Sequence, residues 1–269
     1  MIGLTRPDGT LALDVPGYRR FMPALMPTRA GSTVFFEQRA RLDRTLPFVD
    51  DHEHASLFHV VLWAFVRTLA ERPRLNRFVA GGRLWQRDGI WVSYTAKTAF
   101  DDDAPLVELK RRFDGDVSFV DLVKLVSEDV DAMRAAGGTE SATDRELALL
   151  LKLPHTLRRA AVLAVNRVDA LGLLPTSWVE PDPFFASVFV TNLGSIGIDA
   201  AFHHLYDYGN VPIFCAIGRV AHDDHGVPWV TLRFTYDERV EDGFYAARAL
   251  ELLRRFVEDP GTVGRHEPS

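Results

Sequence analysis

The order of apolar patterns along the chain predicts an α/β (α+β) two-layer sandwich in which helices flank a mixed sheet. Strand and helix patterns follow one another without an internal repeat, and Asp88-Gly89 is a strong signal for a hairpin between two short strands. The 269 residues are 47% hydrophobic and 25% charged, a balance that allows a sizeable core without disulfides or a metal. We expect one domain over residues 31–260, with an N-terminal arm at residues 1–30 and a tail at residues 261–269.

The N-terminal third begins with the arm and continues into the sandwich. Four prolines within residues 1–30 predict at most one short helix in the arm, over residues 17–25. Residues 32–42 are rich in β-branched and aromatic side chains and then alternate, which predicts a strand. Apolar residues at helical spacing predict a helix that begins at residue 57 and is ended by Pro73.

The rest of the chain predicts helices, three strands and a closing helix. We expect two helices over residues 104–137 and further helical structure over residues 143–172, interrupted at Pro154. Residues 184–194 have the pattern of an apolar strand, and two more strands flank a turn at residues 223–226. The run "EDGFYAARALELLRRFVEDP" predicts the closing helix.

The composition argues against several classes of partner. The formal net charge of −6 at pH 7 argues against nucleic acid or an anionic membrane. No basic and apolar leader opens the chain, and charges interrupt the apolar runs well short of about 18 residues, so we expect a cytoplasmic protein without a membrane span. The single cysteine, Cys215, lies in the apolar run "VPIFCAIG", which predicts a buried thiol rather than a disulfide or a nucleophile.

The run "YDERVEDGFYAAR", which begins at Tyr236, places an acidic turn between a strand and a helix. Asp242 stands where a helix N-cap is expected, and it can also pair with an arginine. Gly243 allows the backbone to bend or to pack closely. Capping alone explains the Asp242-Gly243 step, so the run indicates chemistry only together with other segments of the chain.

The run "TYDERVEDGFYAARALELLRRFVEDP" resembles the C-terminal motif of the chloramphenicol acetyltransferase superfamily, which includes the catalytic domain of the dihydrolipoyl acyltransferases of 2-oxo acid dehydrogenase complexes. The family pattern is a histidine, three residues, Asp-Gly and a helix. Here Glu238 stands at the position of the histidine. The runs "LAERPRLNRFVAG", "FVTNLGSIGI" and "PIFCAIGRV" are also similar to family segments, so the resemblance covers residues 33–260.

The resemblance implies an acyl transfer that involves the thiol of coenzyme A or of a lipoyl group, and it implies no metal. In the family a histidine takes the thiol proton as general base, and a hydroxyl on the Thr-Asn-Leu-Gly segment stabilises the oxyanion. The resemblance further implies a homotrimer or a higher assembly of trimers, with each active site between two subunits. Components of 2-oxo acid dehydrogenase complexes are the implied partners.

Carried over to this chain, the resemblance assigns roles to four residues. Glu238 takes the place of the general base. Asp242 would orient the site through an arginine. Thr191 is the candidate for the oxyanion hydroxyl, with Asn192 as the alternative.

The replacement of the histidine leaves two functions open. Glutamate in water has a pKa of about 4.3 and a thiol one of about 8.5, a gap that costs about 5–6 kcal/mol for proton transfer. Burial or neighbouring acids would narrow this gap, whereas pairing with an arginine would widen it. The chain is therefore either an acyltransferase with an altered base or a catalytically silent structural or assembly subunit of the same fold.

Histidines are the remaining candidates for chemistry. His203 and His204 follow the Asn-Leu-Gly turn and could supply the base, and the alternative is a loop or subunit-contact pair. His222 and His225 flank two aspartates at a predicted hairpin turn, which favours a solvent-exposed turn over a metal site. His59 lies within an apolar helix pattern, which favours a satisfied core or interface residue.

Overall fold

A computed structural model of the chain describes residues 3–97, 106–135, 152 and 154–262. Its strands are β1 (Thr5–Arg6), β2 (Gly9–Leu11), β3 (Thr33–Arg41), β4 (Arg77–Ala80), β5 (Arg83–Arg87), β6 (Ile90–Lys97), β7 (Leu106–Phe113), β8 (Val188–Asn192), β9 (Ile213–His222) and β10 (Pro228–Asp237). Its helices are α1 (Gly17–Leu25), α2 (Thr45–Asp50), α3 (Leu57–Glu71), α4 (Phe119–Ala135), α5 (His155–Ala170), α6 (Thr176–Val179) and α7 (Gly243–Glu258). A 3₁₀ turn at Leu193–Ile196 follows β8.

The larger of two sheets has six strands in the order β3-β10-β9-β8-β6-β7. Strand β8 pairs in parallel with β6 and β9, whereas the other neighbours in this sheet are antiparallel. Parallel neighbours need a long crossover, and the chain between β7 and β8 provides one that contains α4 and α5. The predicted mixed sheet is confirmed.

The main core lies between this sheet and the helices α3, α4 and α7. Along β10, every second side chain from Val230 to Tyr236 is buried in that core, as expected for a strand with one face against helices. The middle of α3 is buried on all sides, since residues 60–66 are at most 6% exposed. Helix α7 buries one face at three- and four-residue spacing. The opposite face of the sheet carries a separate small cluster around Phe214.

The smaller sheet, β1-β2-β5-β4, fastens the arm to the rest of the chain through a buried ionic cluster. Arg6 donates to Asp8 at 2.5 Å and to Asp169 at 2.5 Å, and Asn210 donates to Asp8 at 2.7 Å. Burial alone would raise the pKa of Asp8, but the charges of Arg87 and Arg6 outweigh burial and lower it. The first part of the arm is therefore packed structure rather than a free extension.

The structure confirms most predicted elements and corrects one. Helix α1 spans Gly17–Leu25, as predicted. The prediction of two helices over residues 104–137 is wrong for the first, because "LVELKRRF" forms strand β7 and only the second part forms α4. These residues mostly favour helices, but antiparallel pairing with β6 imposes the strand. Strands β1 and β2 were not predicted. The acidic run at 101–103, the helical prediction over 143–151 and the tail from 263 lie outside the described residues.

His59 lies in the first turn of α3 as a half-buried side chain. Its Nδ1 is 2.8 Å from the hydroxyl oxygen of Ser56. Burial lowers the pKa of His59 from 6.5 to about 4. The folded protein therefore prefers the neutral imidazole, which agrees with the prediction of a satisfied core residue.

The depressed pKa of His59 predicts a loss of stability in mild acid. Between pH 6.5 and about 4 the unfolded chain binds a proton that folded His59 does not, so the contribution is present above this range and lost as the pH falls through it. The loss is at most about 3 kcal/mol. Urea unfolding at about pH 7.5 and about pH 4.5 measures it, and His59→Gln should lose less on acidification than the parent chain. The exposed His54→Gln is the matched control, and equal losses in all three proteins would contradict the prediction.

Candidate functional site

Residues 237–242, here called the acidic loop, join strand β10 to helix α7. The hydroxyl of Tyr236 donates to the backbone oxygen of Glu241 at 3.0 Å, which folds the loop back onto the end of the strand. Four of the six loop residues are acidic. The structure therefore has to neutralise several carboxylates within a short segment.

Asp237 points inward and pairs with Arg239 of the same loop. Asp237 is only 1% exposed, and Arg239 donates to its two carboxylate oxygens through Nε at 2.8 Å and Nη2 at 2.7 Å. Such two-point pairs are among the stronger charge-assisted interactions. Arg239 also donates through Nη1 to the backbone oxygen of Met26 at 3.1 Å, so the pair attaches the loop to the arm.

Glu241 is the second buried acid of the loop, at 3% exposure. Its carboxylate lies 3.2 Å from Nη1 of Arg77, 3.4 Å from Nη1 of Arg74 and 3.9 Å from Nε of Arg19. The same carboxylate accepts a hydrogen bond from the backbone nitrogen of Asp242 at 3.1 Å. Three arginines from distant parts of the chain therefore surround one carboxylate.

Asp242 caps helix α7, as predicted. Its Oδ1 accepts from the backbone nitrogen of Tyr245 at 2.9 Å, and this hydrogen bond is the main cause of the lowered pKa of Asp242. No arginine within the described residues forms an ion pair with Asp242, because the nearby arginines pair with Glu241 instead. A Cβ added to Gly243 would meet no atom of the described chain within 4 Å, so packing inside one chain does not require this glycine.

Glu238 is held by its backbone. Its backbone nitrogen donates to the backbone oxygen of Ser32 at 3.0 Å, and its own backbone oxygen accepts from Nη2 of Arg19 at 2.9 Å. The side chain is half-buried, and no residue in the described part of the chain pairs with its carboxylate. The loop therefore fixes the position of Glu238 and leaves its carboxylate available.

Thr191 and Asn192, the candidates for the oxyanion donor, end strand β8. The hydroxyl oxygen of Thr191 lies 3.1 Å from that of Thr95 on β6. The side-chain oxygen of Asn192 accepts from the backbone nitrogen of Ser195 at 3.2 Å and so caps the following 3₁₀ turn. Thr191 therefore presents a half-buried hydroxyl, whereas Asn192 has a local structural role.

Within one chain, Thr191 and Glu238 lie far apart. The register pairs Thr191 with Ala216 on β9, and Ala216 with Arg233 on β10. Glu238 follows Arg233 by five residues, so the two are separated by roughly 17 Å along the strands and roughly 10 Å across them. A distance of about 19 Å is too long for both side chains to contact one acyl group.

His203 and His204 lie over the sheet face opposite the helices. The ring of His203 stacks on Phe214 with 3.9 Å between centroids, and the hydroxyl of Thr235 donates to the backbone oxygen of His203. Burial is the main cause that lowers the pKa of His203, whereas His204 is exposed. Thr235, which binds the backbone of His203, precedes Glu238 by three residues, or about 10 Å of strand.

The other histidine pair forms a turn, as predicted. The backbone nitrogen of His225 donates to the side-chain oxygen of Asp223 at 2.9 Å in the hairpin between β9 and β10. Within the described ranges, no three His, Cys, Asp or Glu side chains come together as a metal site would require. No helix in those ranges combines the length and the apolar character that a membrane span needs.

No protein-family model matches the chain, and no curated protein sequence matches it. Among solved structures, the chain is similar to the cubic core of the pyruvate dehydrogenase multienzyme complex, with a TM-score of 0.58 and 15% identity over 91% of this chain and 87% of that one. Dihydrolipoamide acetyltransferase from Azotobacter vinelandii gives 0.58 and 16% over 90% and 89%. A chloramphenicol acetyltransferase gives 0.52 and 12% over 96% and 98%.

This protein has the chloramphenicol acetyltransferase-like fold. The resemblance that the sequence runs indicate is therefore confirmed at the level of the fold. In this fold the acidic loop follows β10, the last strand. Thr191 lies near the end of β8, a central strand of the larger sheet.

The arginines that hold the acidic loop were not predicted from the sequence. Arg239 carries a local signal, since it stands two residues after Asp237 in the run "DER". Arg77 and Arg19 carry none, because they contact Glu241 and Glu238 across 164 and 219 residues of chain. Only the tertiary structure brings these side chains together.

Arg239→Ala tests the buried pair. Because Asp237 would remain buried without its partner, the variant should lower the free energy of unfolding by about 3–5 kcal/mol. Arg41→Ala is the matched control, since Arg41 pairs with Asp43 at 3.2 Å on the exposed surface, where such pairs contribute about 1 kcal/mol or less. Urea unfolding followed by tryptophan fluorescence measures both losses. Equal losses of unfolding free energy in the two variants would show that the buried pair stabilises the fold no more than the surface pair does.

Proposed function

We propose that this protein transfers an acyl group between coenzyme A, or a lipoyl thiol, and an acceptor, with Glu238 as the general base. The observation that supports this most is the half-buried Glu238 carboxylate, which has no partner in the described part of the chain. It stands on a loop whose two buried acids are paired with arginines. The loop thus presents a free proton acceptor where the family resemblance puts a histidine.

A comparison of spacing supports the same assignment. The Azotobacter vinelandii dihydrolipoamide acetyltransferase has a serine, a histidine and an asparagine with roles in its catalytic mechanism. Its asparagine follows its histidine by four positions, which is the spacing of Asp242 after Glu238. Thr191 carries a hydroxyl, as that serine does. We therefore assign Glu238, Asp242 and Thr191 to corresponding places.

Glu238 and Thr191 each have one task in the proposed reaction, whereas Asp242 caps the helix that follows the loop. The Glu238 carboxylate accepts the thiol proton as the sulfur attacks the acyl carbon. The Thr191 hydroxyl, which Thr95 holds at 3.1 Å, donates to the oxyanion, an interaction whose loss typically costs about 10²–10³ in kcat. Asn192 is less suited to this role because its side chain already caps the 3₁₀ turn.

The site of this proposal requires a second chain. The separation of about 19 Å between Thr191 and Glu238 supports a site formed by Thr191 of one copy and Glu238 of another. On α1, Tyr18, Phe21 and Leu25 form an apolar stripe and are 63%, 59% and 61% exposed, as expected of an interaction surface.

The proposal therefore includes a homotrimer or a higher assembly of trimers. The similarity to the cubic core of a multienzyme complex supports a higher assembly, with 2-oxo acid dehydrogenase components as the proposed partners.

A catalytically silent assembly subunit is the second candidate function. One observation favours it: Asp237 and Glu241 are paired with arginines. These pairs hold the loop to the arm and to β4, a structural role that requires no reaction. A weak base would slow transfer to an ordinary thiol and leave the scaffold unchanged.

Glu238→Gln tests the proposed base. The variant removes the proton acceptor with little change in shape, so acetyl transfer from acetyl-CoA to dihydrolipoamide should fall about 10²–10⁴-fold. Chromatography of the acetylated product measures the rate. Glu128→Gln, on the exposed face of α4, is the matched control and should retain the full rate.

Glu238→His separates the two candidate functions. Turnover in Glu238→His but not in the parent chain would favour the silent subunit, because the site would then lack only its base. Coenzyme A should also raise the melting temperature of the parent chain, since a ligand at about 100 times its Kd stabilises a protein by about 2.7 kcal/mol. Absence of both turnover and this shift would contradict the acyltransferase proposal.

A site shared between two chains predicts complementation. Thr191→Ala and Glu238→Gln each impair one half of the site, so a mixed trimer should regain about one third of the parent rate, because one of its three interfaces joins two intact halves. Co-expression with two different tags isolates the mixed species, and light scattering gives its number of chains. An inactive mixed assembly of verified composition would contradict the shared site.

A further inference from the structure

A cavity of about 200 Å³ lies at the far edge of the six-stranded sheet, beside β6, β7 and α6. Strand β7 is four strand positions from β10, or about 19 Å, so the cavity is separate from the acidic loop. The aromatic ring of Trp91 and the end of α6 form part of its wall. The charged side chains that line it are Asp8, Asp88, Lys110, Arg112 and Glu180.

Lys110, on β7, has its amine fixed in the wall of this cavity. Its Nζ donates to the backbone oxygens of Val179 at 2.8 Å and Asp182 at 3.1 Å, and it lies 4.8 Å from the centroid of the Trp91 ring. A neutral amine has two N–H groups, and the two backbone oxygens can accept both. The lone pair then occupies the remaining tetrahedral position, which neither oxygen takes.

The charge state of Lys110 supports reactivity. Burial first, and the charge of Arg87 second, lower the pKa of Lys110 from 10.5 to about 7, against the opposing effects of Asp182, Asp8 and Glu180. About half of the amine is therefore uncharged at neutral pH. An ordinary lysine, with a pKa of about 10.4, keeps less than about one in a thousand of its amines uncharged at pH 7.

We propose that Lys110 is a site of N-acylation by small acyl thioesters. The Nζ attacks the carbonyl carbon, a C–N amide bond forms, the C–S bond breaks, and the proton lost by the nitrogen leaves with the thiol. The cavity of about 200 Å³ has room for a short acyl chain. The reaction uses no group of the acidic loop and does not rest on the proposed function.

Acylation would loosen the contact between β7 and the segment at the end of α6. The amide nitrogen keeps one N–H, so the backbone oxygens of Val179 and Asp182 no longer both receive a hydrogen bond from it. The positive charge beside the Trp91 ring is also lost. The modified chain should therefore melt at a lower temperature than the unmodified chain.

The chain offers an internal control, because it has four lysines and Lys124 is exposed on α4. The full chain is incubated with acetyl-CoA at about pH 7, and peptide mass spectrometry follows both side chains. Lys110 should react at least about ten-fold faster than Lys124. Its large fraction of uncharged amine speeds the reaction, and its lower basicity and restricted access offset only part of that gain. Above about pH 8 the rate at Lys110 should level off, whereas a lysine of ordinary pKa, about 10.4, gives a rate that rises about ten-fold per pH unit.

A second arm replaces acetyl-CoA with acetic anhydride. Reaction of Lys110 with the anhydride but not with acetyl-CoA overturns the assignment to thioesters. A pH profile at Lys110 that parallels that of Lys124 overturns the proposal as a whole. Lys110→Arg should lose the rapid mass increase at neutral pH, whereas Lys124→Arg keeps it. Glu238→Gln should leave the acylation of Lys110 unchanged. Failure of the Lys110 proposal can therefore be distinguished from failure of the proposed function.

Discussion

The pairing of buried acids with arginines in the acidic loop is the constraint on which the candidate site depends. Asp237 and Glu241 are 1% and 3% exposed, and an unpaired charge in such a position costs several kcal/mol. Their arginine partners come from the arm, from the turn before β4, from β4 and from the loop itself. The pairing therefore connects four parts of the chain at one point. It fixes the backbone of Glu238 without using the Glu238 carboxylate.

The parts of the fold and of the candidate site that depend on local contacts could be predicted from the sequence. Most strands, the helix α7 and its cap follow from local patterns, and the cap joins Asp242 to Tyr245 three residues later. The spacing of Glu238 and Asp242 is also a local pattern. Strand β7 could not be predicted, because its pairing with β6 overrides a composition that favours helices. The arginines around Glu241 could not be predicted either, because no local pattern encodes a contact across 164 residues.

The strand topology itself separates the two halves of the site. Strand β8 is parallel to β9, whereas β10 is antiparallel to β9. The carboxyl ends of β8 and β10, which carry Thr191 and Glu238, must therefore lie at opposite ends of the sheet. A single copy of this fold cannot bring them together, so the proposed reaction calls for a neighbouring copy.

A carboxylate base also changes the electrostatics of the proposed reaction. Proton transfer from a thiol to imidazole creates two charges, whereas transfer to a carboxylate moves one negative charge from oxygen to sulfur. Removal of water raises the pKa of a thiol and lowers that of an imidazole, so it widens the gap for a histidine base. Burial of a carboxylate base alone narrows its gap to a thiol, whereas removal of water around both groups raises both pKa values and leaves the gap nearly unchanged. In a site from which water is removed, a carboxylate base would therefore lose much of its disadvantage relative to an imidazole base.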